Sequence, residues 1–477
     1  MGITRRSAAA VLGAVLVSGC GAAPPRQAAN VLLIVVDTLR ADRLGAYGSV
    51  RGLTPFLDGL AARGVVFHKA YASSCWTNPS IASLFTSRHA WQHGVTWLTP
   101  LVPTEVTLAE SLADRGYDTA GYSANILVSE PLGYRQGFAT YATPPLRKIA
   151  GVETMVAARA EELNEMIVDW WRERRSREAR APAFVYAQYM EPHWAYAPPP
   201  QIVDALFQAR PRPDVEAANH AYLLASTFPP GAPEVQSLEP VYDAEVLAVD
   251  TALAQLFQAL ERDKFFENAI VVVTADHGEE FWDHGSVGHG GSLFEELIRV
   301  PLIILVPGNQ TRVDVDEVVS LIDVAPTVLD LVGVARPASF EGRSLSVLMA
   351  APTVRNLFGL VRRVRARKWP GAAYSDIAVD EQTAQKRLAV GTPGMHHLRS
   401  VVVGPRKMIT TLSGGVEYYD LARDPHEKGS ATLTTAQQEA LRHAMASARV
   451  PAGIVATGAA SVPEEQKERL RALGYLH

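Results

Sequence analysis

Three strand-like runs, two of them of branched aliphatic residues, each end in a group able to hold a cation or move a proton. Val31-Leu32-Leu33-Ile34-Val35-Val36 leads to Asp37, and residues 184–190 lead to Glu191-Pro192-His193. Ile270-Val271-Val272-Val273-Thr274 leads to Asp276-His277, with His284 and His289 following in a glycine-rich stretch. Carboxylate and imidazole donors together suit a divalent metal. Asp-His-Gly alone says little. Its position just after a buried strand and just before two more histidines is what points to a metal site.

Continuous apolar runs of this kind are strands buried on both faces, as in a parallel sheet. Such a sheet presents ligands at the carboxyl edge of its strands. Helices are expected over residues 54–63, after Pro79 with Ile81, Leu84 and Phe85 inward, and over 107–115, where Gly116 stops the helix. Two more are expected over 153–177 and 243–261. Residues 197–240, rich in Pro and Ala without a clear period, read as a loop-rich insertion near the substrate. Alternating strands and helices imply an α/β domain with a large, mainly parallel central sheet flanked by helices, covering residues 30–349. Beyond Met349 the character changes. Arg362, Arg363, Arg365, Arg367 and Lys368 form a basic run, read as a solvated surface or as a contact for anionic lipid headgroups or an anionic polymer. Strands over 398–403 and 407–412 then form a hairpin, and two helices close a smaller α+β domain spanning 350–477.

A formal charge of -5 excludes the basic excess of a nucleic-acid binder. Arg5 and Arg6 followed by the apolar residues 8–17 form a targeting segment too short to span a bilayer. Val17-Ser18-Gly19-Cys20 resembles a bacterial lipobox, which predicts a signal peptide over 1–20 and lipidation of Cys20. Residues 21–29 become a tether, and the protein is expected in the cell envelope, at the periplasm or outer membrane, attached to the membrane through its lipid. Cys75 is then the only other thiol, so no intramolecular disulfide forms.

Longer motifs carry a resemblance. Asp37-Thr38-Leu39-Arg40-Ala41-Asp42-Arg43 resembles the opening motif of the sulfatase family, within the alkaline phosphatase superfamily, in which the first Asp binds metal. Thr77-Asn78-Pro79-Ser80 is similar to the nucleophile motif, and Met190-Glu191-Pro192-His193 to the substrate-histidine loop. Asp276-His277-Gly278-Glu279-Glu280, Gly288-His289-Gly290 and Arg299-Val300-Pro301 resemble the second metal and substrate segments. Tyr419-Asp420-Leu421 through Asp424-Pro425 and Leu473-Gly474-Tyr475-Leu476 resemble C-terminal signatures. The order is kept from residue 30 to 477.

The departures alter the expected chemistry. The family's formylglycine arises from a Cys or Ser two residues before the motif Pro, with an Arg two residues after it; here these are Thr77 and Ile81. A threonine cannot become that aldehyde hydrate. The resemblance therefore implies a Thr-nucleophile variant, in which a metal must acidify the hydroxyl. It assigns Asp37, Asp276, His277 and Thr77 to one divalent metal, with manganese or zinc favoured over calcium or magnesium. His193 and His289 would stabilise the transferred group or protonate the leaving oxygen, with Asn78 and Arg40 as further substrate contacts. Hydrolysis of a sulfate or phosphate ester is expected. A phospho-group transferase and a catalytically silent protein that binds an anionic glycan or lipid are the alternatives.

Overall fold

The computed structural model describes residues 29–145, 147–148, 155–156, 158–224, 232, 235–349, 369, 371–379 and 396–450. The leader with Cys20, the basic run at 362–368 and the terminal 473–476 signature lie outside these residues.

The first aliphatic run forms β1 (Asn30–Val36), fully buried from Val31 onward. Each such side chain contributes about 1.5–3 kcal/mol on burial. The sheet around it contains β2 (Val65–Tyr71), β3 (Asp118–Ser123), β4 (Thr140–Ala142), β5 (Ala183–Tyr189), β6 (Ala269–Thr274), β7 (Arg299–Val300), β8 (Leu302–Leu305) and β9 (Val313–Ser320). Their order is β7-β2-β8-β6-β1-β5-β3-β4, with β9 also paired to β2. β1 pairs in parallel with both β5 and β6, and β5 in parallel with β3, so four strand ends meet on one edge. β8 runs antiparallel between β6 and β2, which makes the sheet mixed on one side.

The principal helices are α1 (Pro55–Ala61), α2 (Thr77–Thr86), α3 (Leu108–Ala113), α4 (Ala160–Ser176), α5 (Pro200–Leu206), α6 (Val215–Leu223) and α7 (Leu238–Arg262). α4 begins at Ala160, later than the expected residue 153. The stretch expected to be loop-rich holds α5 and α6 and the first turn of α7, whose apolar residues pack on neighbouring elements rather than follow an obvious stripe. Thr54 gives α1 no side-chain cap. Asp250 on α7 does so instead, accepting the N–H groups of Phe56 and Leu57, both at 2.9 Å.

The C-terminal part is an antiparallel meander of β10 (Ala372–Asp376), β11 (His397–Val403), β12 (Arg406–Thr411) and β13 (Val416–Asp420), followed by α8 (Thr435–Ser447). Alternation divides its faces. Val402, Ile409 and Tyr419 pack with Tyr71, Leu293 and Phe294 of the larger unit, whereas Val401, Met408 and Tyr418 pack under α8 with Leu441 and Met445. The second closing helix lies outside the described residues. No helix among the described residues is long and apolar enough to cross a membrane.

Candidate active site

Each of the parallel strands β1, β3, β5 and β6 delivers a polar residue to the shared edge. Asp37 follows β1 and is fully buried. Its Oδ2 accepts from Asn125 Nδ2 at 2.6 Å, just beyond β3, and from Gln188 Nε2 at 3.1 Å on β5. Its Oδ1 has no hydrogen-bond partner. Thr38 then turns with φ of 55°, a conformation that costs a threonine energy and recurs at functional sites. That turn aims the Thr38 N–H at Asp276 Oδ1, 3.2 Å away, while the Thr38 carbonyl accepts from Tyr242 on α7 at 2.7 Å.

Asp276 mirrors Asp37. Its Oδ1 also accepts the His277 N–H at 2.9 Å, and its Oδ2 is left bare. His277 Nδ1 lies 2.9 Å from the Gly278 carbonyl, a contact that requires Nδ1 to carry the proton and leaves Nε2 as a lone-pair donor. Asp37, Asp276 and His277 each offer one ligand atom within 4.8 Å of the others. Two orphaned carboxylate oxygens and one imidazole lone pair, all buried and aimed at one point, fit a divalent cation. Burial, and next the charge of Asp276, push the Asp37 carboxyl well above its usual range. Among the described residues no lysine or arginine pairs with either aspartate, so positive charge is what this point lacks.

Thr77 is the first residue of α2, and its Oγ1 lies 3.2 Å from His277 Nε2. The positive end of a ten-residue helix favours negative charge there. Ser80, one turn on, fixes the helix by donating to the Asp276 carbonyl at 2.6 Å. His289 stands beside this group, with ring centroids 4.5 Å from His277 and 5.0 Å from His193. Burial holds both His193 and His289 well below the ordinary imidazole range, reinforced for His193 by His289 and for His289 by His277. Glu279, fully buried, meets His289 Nδ1 at 3.0 Å. Burial raises its own carboxyl to about 8. The Trp76 ring lies 5.6 Å from His289, and at Gly290, with φ of 77°, a Cβ would stand 2.2 Å from that indole.

The structure thus brings together Asp37, Thr77, His193, Asp276, His277 and His289. Two expected substrate contacts are committed elsewhere. Asn78 donates to the carbonyls of Thr96 and Thr99 at 2.8 and 2.9 Å and accepts from Tyr134 at 2.7 Å, so its amide braces α2. The Arg40 guanidinium binds Asp42, Asp283 and the Glu279 carbonyl. His284 also points away, pairing with Glu296 at 2.7 Å. Asn125, Gln188 and Glu279 received no role from the sequence, although Gln188 and Glu279 both stand within segments that drew notice there.

A second cluster, His396, His397 and Glu417, has a different character. Glu417 lies within 3.1 Å of both imidazoles and accepts from Tyr419 at 2.9 Å, while His397 Nδ1 accepts the Leu293 N–H. The His397 proton must therefore sit on Nε2, where a metal would bind.

The sulfatase family model matches residues 29–334. This chain belongs to the sulfatase family. The family is metal-dependent, in keeping with the donor set just described. Among curated relatives, this sulfatase-family chain is 27% identical over 356 residues to the uncharacterized sulfatase YidJ of Escherichia coli, covering 66% of this chain and 70% of that protein. It is 26% identical over 444 residues to a Delta 4,5-hexuronate-2-O-sulfatase of Bacteroides thetaiotaomicron, covering 86% of each. The multifunctional alkaline phosphatase superfamily protein PehA of Trinickia caryophylli is 26% identical over 407 residues, covering 67% of this chain and 77% of PehA. Among solved structures, the phosphonate monoester hydrolase of Agrobacterium radiobacter superposes with a TM-score of 0.66 at 21% identity, over 88% of this chain and 95% of that one. A structure in complex with its substrate D-glucosamine-2-N,6-O-disulfate superposes with 0.68 at 19% identity, over 88% and 97%. These likenesses establish the sulfatase fold.

Proposed function

We propose that this protein is a metal-dependent hydrolase of sulfate or phosphate esters, phosphonate esters included, with Thr77 as covalent nucleophile. One observation carries the reading: the Thr77 hydroxyl stands at a helix N-terminus, 3.2 Å from the Nε2 of His277, which clusters with Asp37 and Asp276 and their two orphaned oxygens. The sulfatase, phosphonate monoester hydrolase and multifunctional relatives support the substrate range.

Asp37, Asp276 and His277 would hold the cation, with Thr77 completing its sphere, and manganese or zinc suits the mixed oxygen and nitrogen donors. When bound, it supplies Lewis acidity toward the Thr77 hydroxyl and neutralises charge on the transferred group. Thr77 passes its proton to His289 or His193 as its oxygen bonds to sulfur or phosphorus; the ester oxygen departs, taking that proton from the histidine. Water then bonds to the same sulfur or phosphorus, giving a proton to that histidine, and the Thr77 ester bond breaks as its oxygen takes the proton back. Glu279 holds the His289 ring in place throughout. Ile81 and Thr77 remove the formylglycine route, and a hydroxyl nucleophile favours the phosphorus esters within this range.

The test is turnover of aryl sulfate, aryl phosphate, diaryl phosphate and aryl phosphonate with manganese or zinc, with Thr77→Ala and Thr77→Ser alongside. Thr77→Ala should lose roughly a thousandfold or more in kcat, and the wild type should trap a covalent adduct on the Thr77 peptide. Turnover that survives in Thr77→Ala would remove the nucleophile. Export and lipid attachment at Cys20 belong to the same proposal. They predict a membrane-bound wild type and a Cys20→Ala protein released to the soluble fraction, and a soluble wild type would end that part.

A further inference from the structure

Lys407 on β12 is completely buried. Its Nζ lies 2.8 Å from Glu427 Oε1 and 3.3 Å from Glu295 Oε1. Burial opposes its charge, but Glu427 and Glu295 outweigh burial and hold the ammonium above its ordinary pKa. Glu427 follows the Tyr419 to Pro425 signature, and its Oε2 accepts the Glu295 N–H at 2.7 Å. Glu295 opens a one-turn helix, Glu295–Ile298, in the larger unit. Its main chain and side chain are therefore both gripped from the C-terminal unit. His284 adds a second tie, with Nδ1 at 2.7 Å from Glu296 Oε1 and Nε2 at 3.2 Å from the Glu427 carbonyl.

The other side of that turn reaches the active site. The Leu297 carbonyl accepts the Gly278 N–H at 2.8 Å. The Glu296 carbonyl sits so close to Gly278 that a Cβ there would be 1.9 Å away. The Gly278 carbonyl, in turn, fixes His277 Nδ1 and so leaves Nε2 bare toward Thr77. A continuous run of ion pairs and backbone hydrogen bonds thus links the C-terminal sheet to a candidate metal ligand.

We propose that Lys407, with Glu427, is a positioning residue for His277, acting through the turn at 295–298 and Gly278, so that the C-terminal unit sets the affinity of the metal site. This rests on the reading of Asp37, Asp276 and His277 as metal ligands. Partners that orient a ligand in this way typically change metal affinity 10–100-fold when removed, a figure of about that order being expected here.

The experiment uses the full chain and two readouts: hydrogen–deuterium exchange in peptides covering 276–299 without metal, and the manganese dissociation constant by calorimetry. Lys407→Met removes the charge while filling the space, and Glu427→Gln keeps shape and most hydrogen bonds should Lys407→Met fail to fold. Arg174→Met is the control for mere destabilisation, because Arg174 pairs with Asp118 at the opposite, amino end of β3. Faster exchange in 276–299 and manganese binding weakened about 10–100-fold in the 407 and 427 variants, but not in the control, would support the proposal. Unchanged exchange and unchanged affinity, with a fall in Tm like the control's, would make Lys407 a structural residue only and overturn it. A wild type with no manganese affinity would overturn both the metal-site reading and the affinity claim, while the exchange data would still judge the coupling to His277.

Discussion

Two buried polar clusters lie close together in this protein and are built on opposite principles. At the C-terminal interface, Lys407 is matched by Glu427 and Glu295, so charge is answered within the chain. At the sheet edge, Asp37 and Asp276 face each other with His277, each keeping one oxygen unanswered. The first cluster closes an interface. The second is short of a cation, and burial without a counter-charge marks it as a place for a ligand. The pair shows why burial of charge alone does not reveal function: the balance within the cluster does.

The comparison can be broken most sharply at Lys407. Lys407→Ala should cost about 3–5 kcal/mol in urea unfolding, because two carboxylates would stay buried without their partner. Replacing Lys407, Glu427 and Glu295 together with apolar residues of similar volume should recover most of that loss. A single substitution costing under 1 kcal/mol would show the interface cluster to be solvated rather than closed.

Metal should move the other cluster alone. With free manganese or zinc at a hundred times its dissociation constant, the wild type should gain about 2.7 kcal/mol. Asp37→Asn should lose that gain, yet be more stable than the wild type in chelator, since an amide replaces an unanswered carboxylate. Equal metal stabilisation in both proteins would sink the assignment of Asp37.

An effect read as a slope rather than a step tests an intermediate case. Burial, and next Glu191, raise the Glu245 carboxyl to about 8 from its usual 4.5. The folded protein keeps that proton while the unfolded chain releases it, so stability is present at low pH and is lost as pH rises from about 4.5 towards 8. The slope for one such proton is at most about 1.4 kcal/mol per pH unit. Glu245→Gln should flatten the stability profile in that window by up to this amount. An unchanged profile would mean that Glu245 ionises normally.

Much of this was legible in the sequence because the informative residues sit at the ends of strands. The runs before Asp37, His193 and Asp276 announced buried strands, and β1, β5 and β6 begin and end within one residue of them. What stayed hidden depends on partners far away in the chain. Asn125 and Gln188 matter only because they reach Asp37 across 88 and 151 positions. Asn78 and Arg40 carry the right chemistry in a motif position, but contacts with Thr96, Thr99 and Asp283 use it up. α5 and α6 were missed because proline-rich sequence lacks a helical stripe even where tertiary contacts stabilise the turns.

The distant cap on α1 has a consequence for how the chain folds. Asp250 lies 193 residues beyond Leu57, whose N–H it accepts. A seven-residue helix is too short to hold together on its own in water. In a chain emerging from the ribosome, this turn therefore has no finished start until α7 has been synthesised and has docked. α1 is thus completed by the long helix α7, and the two elements consolidate together.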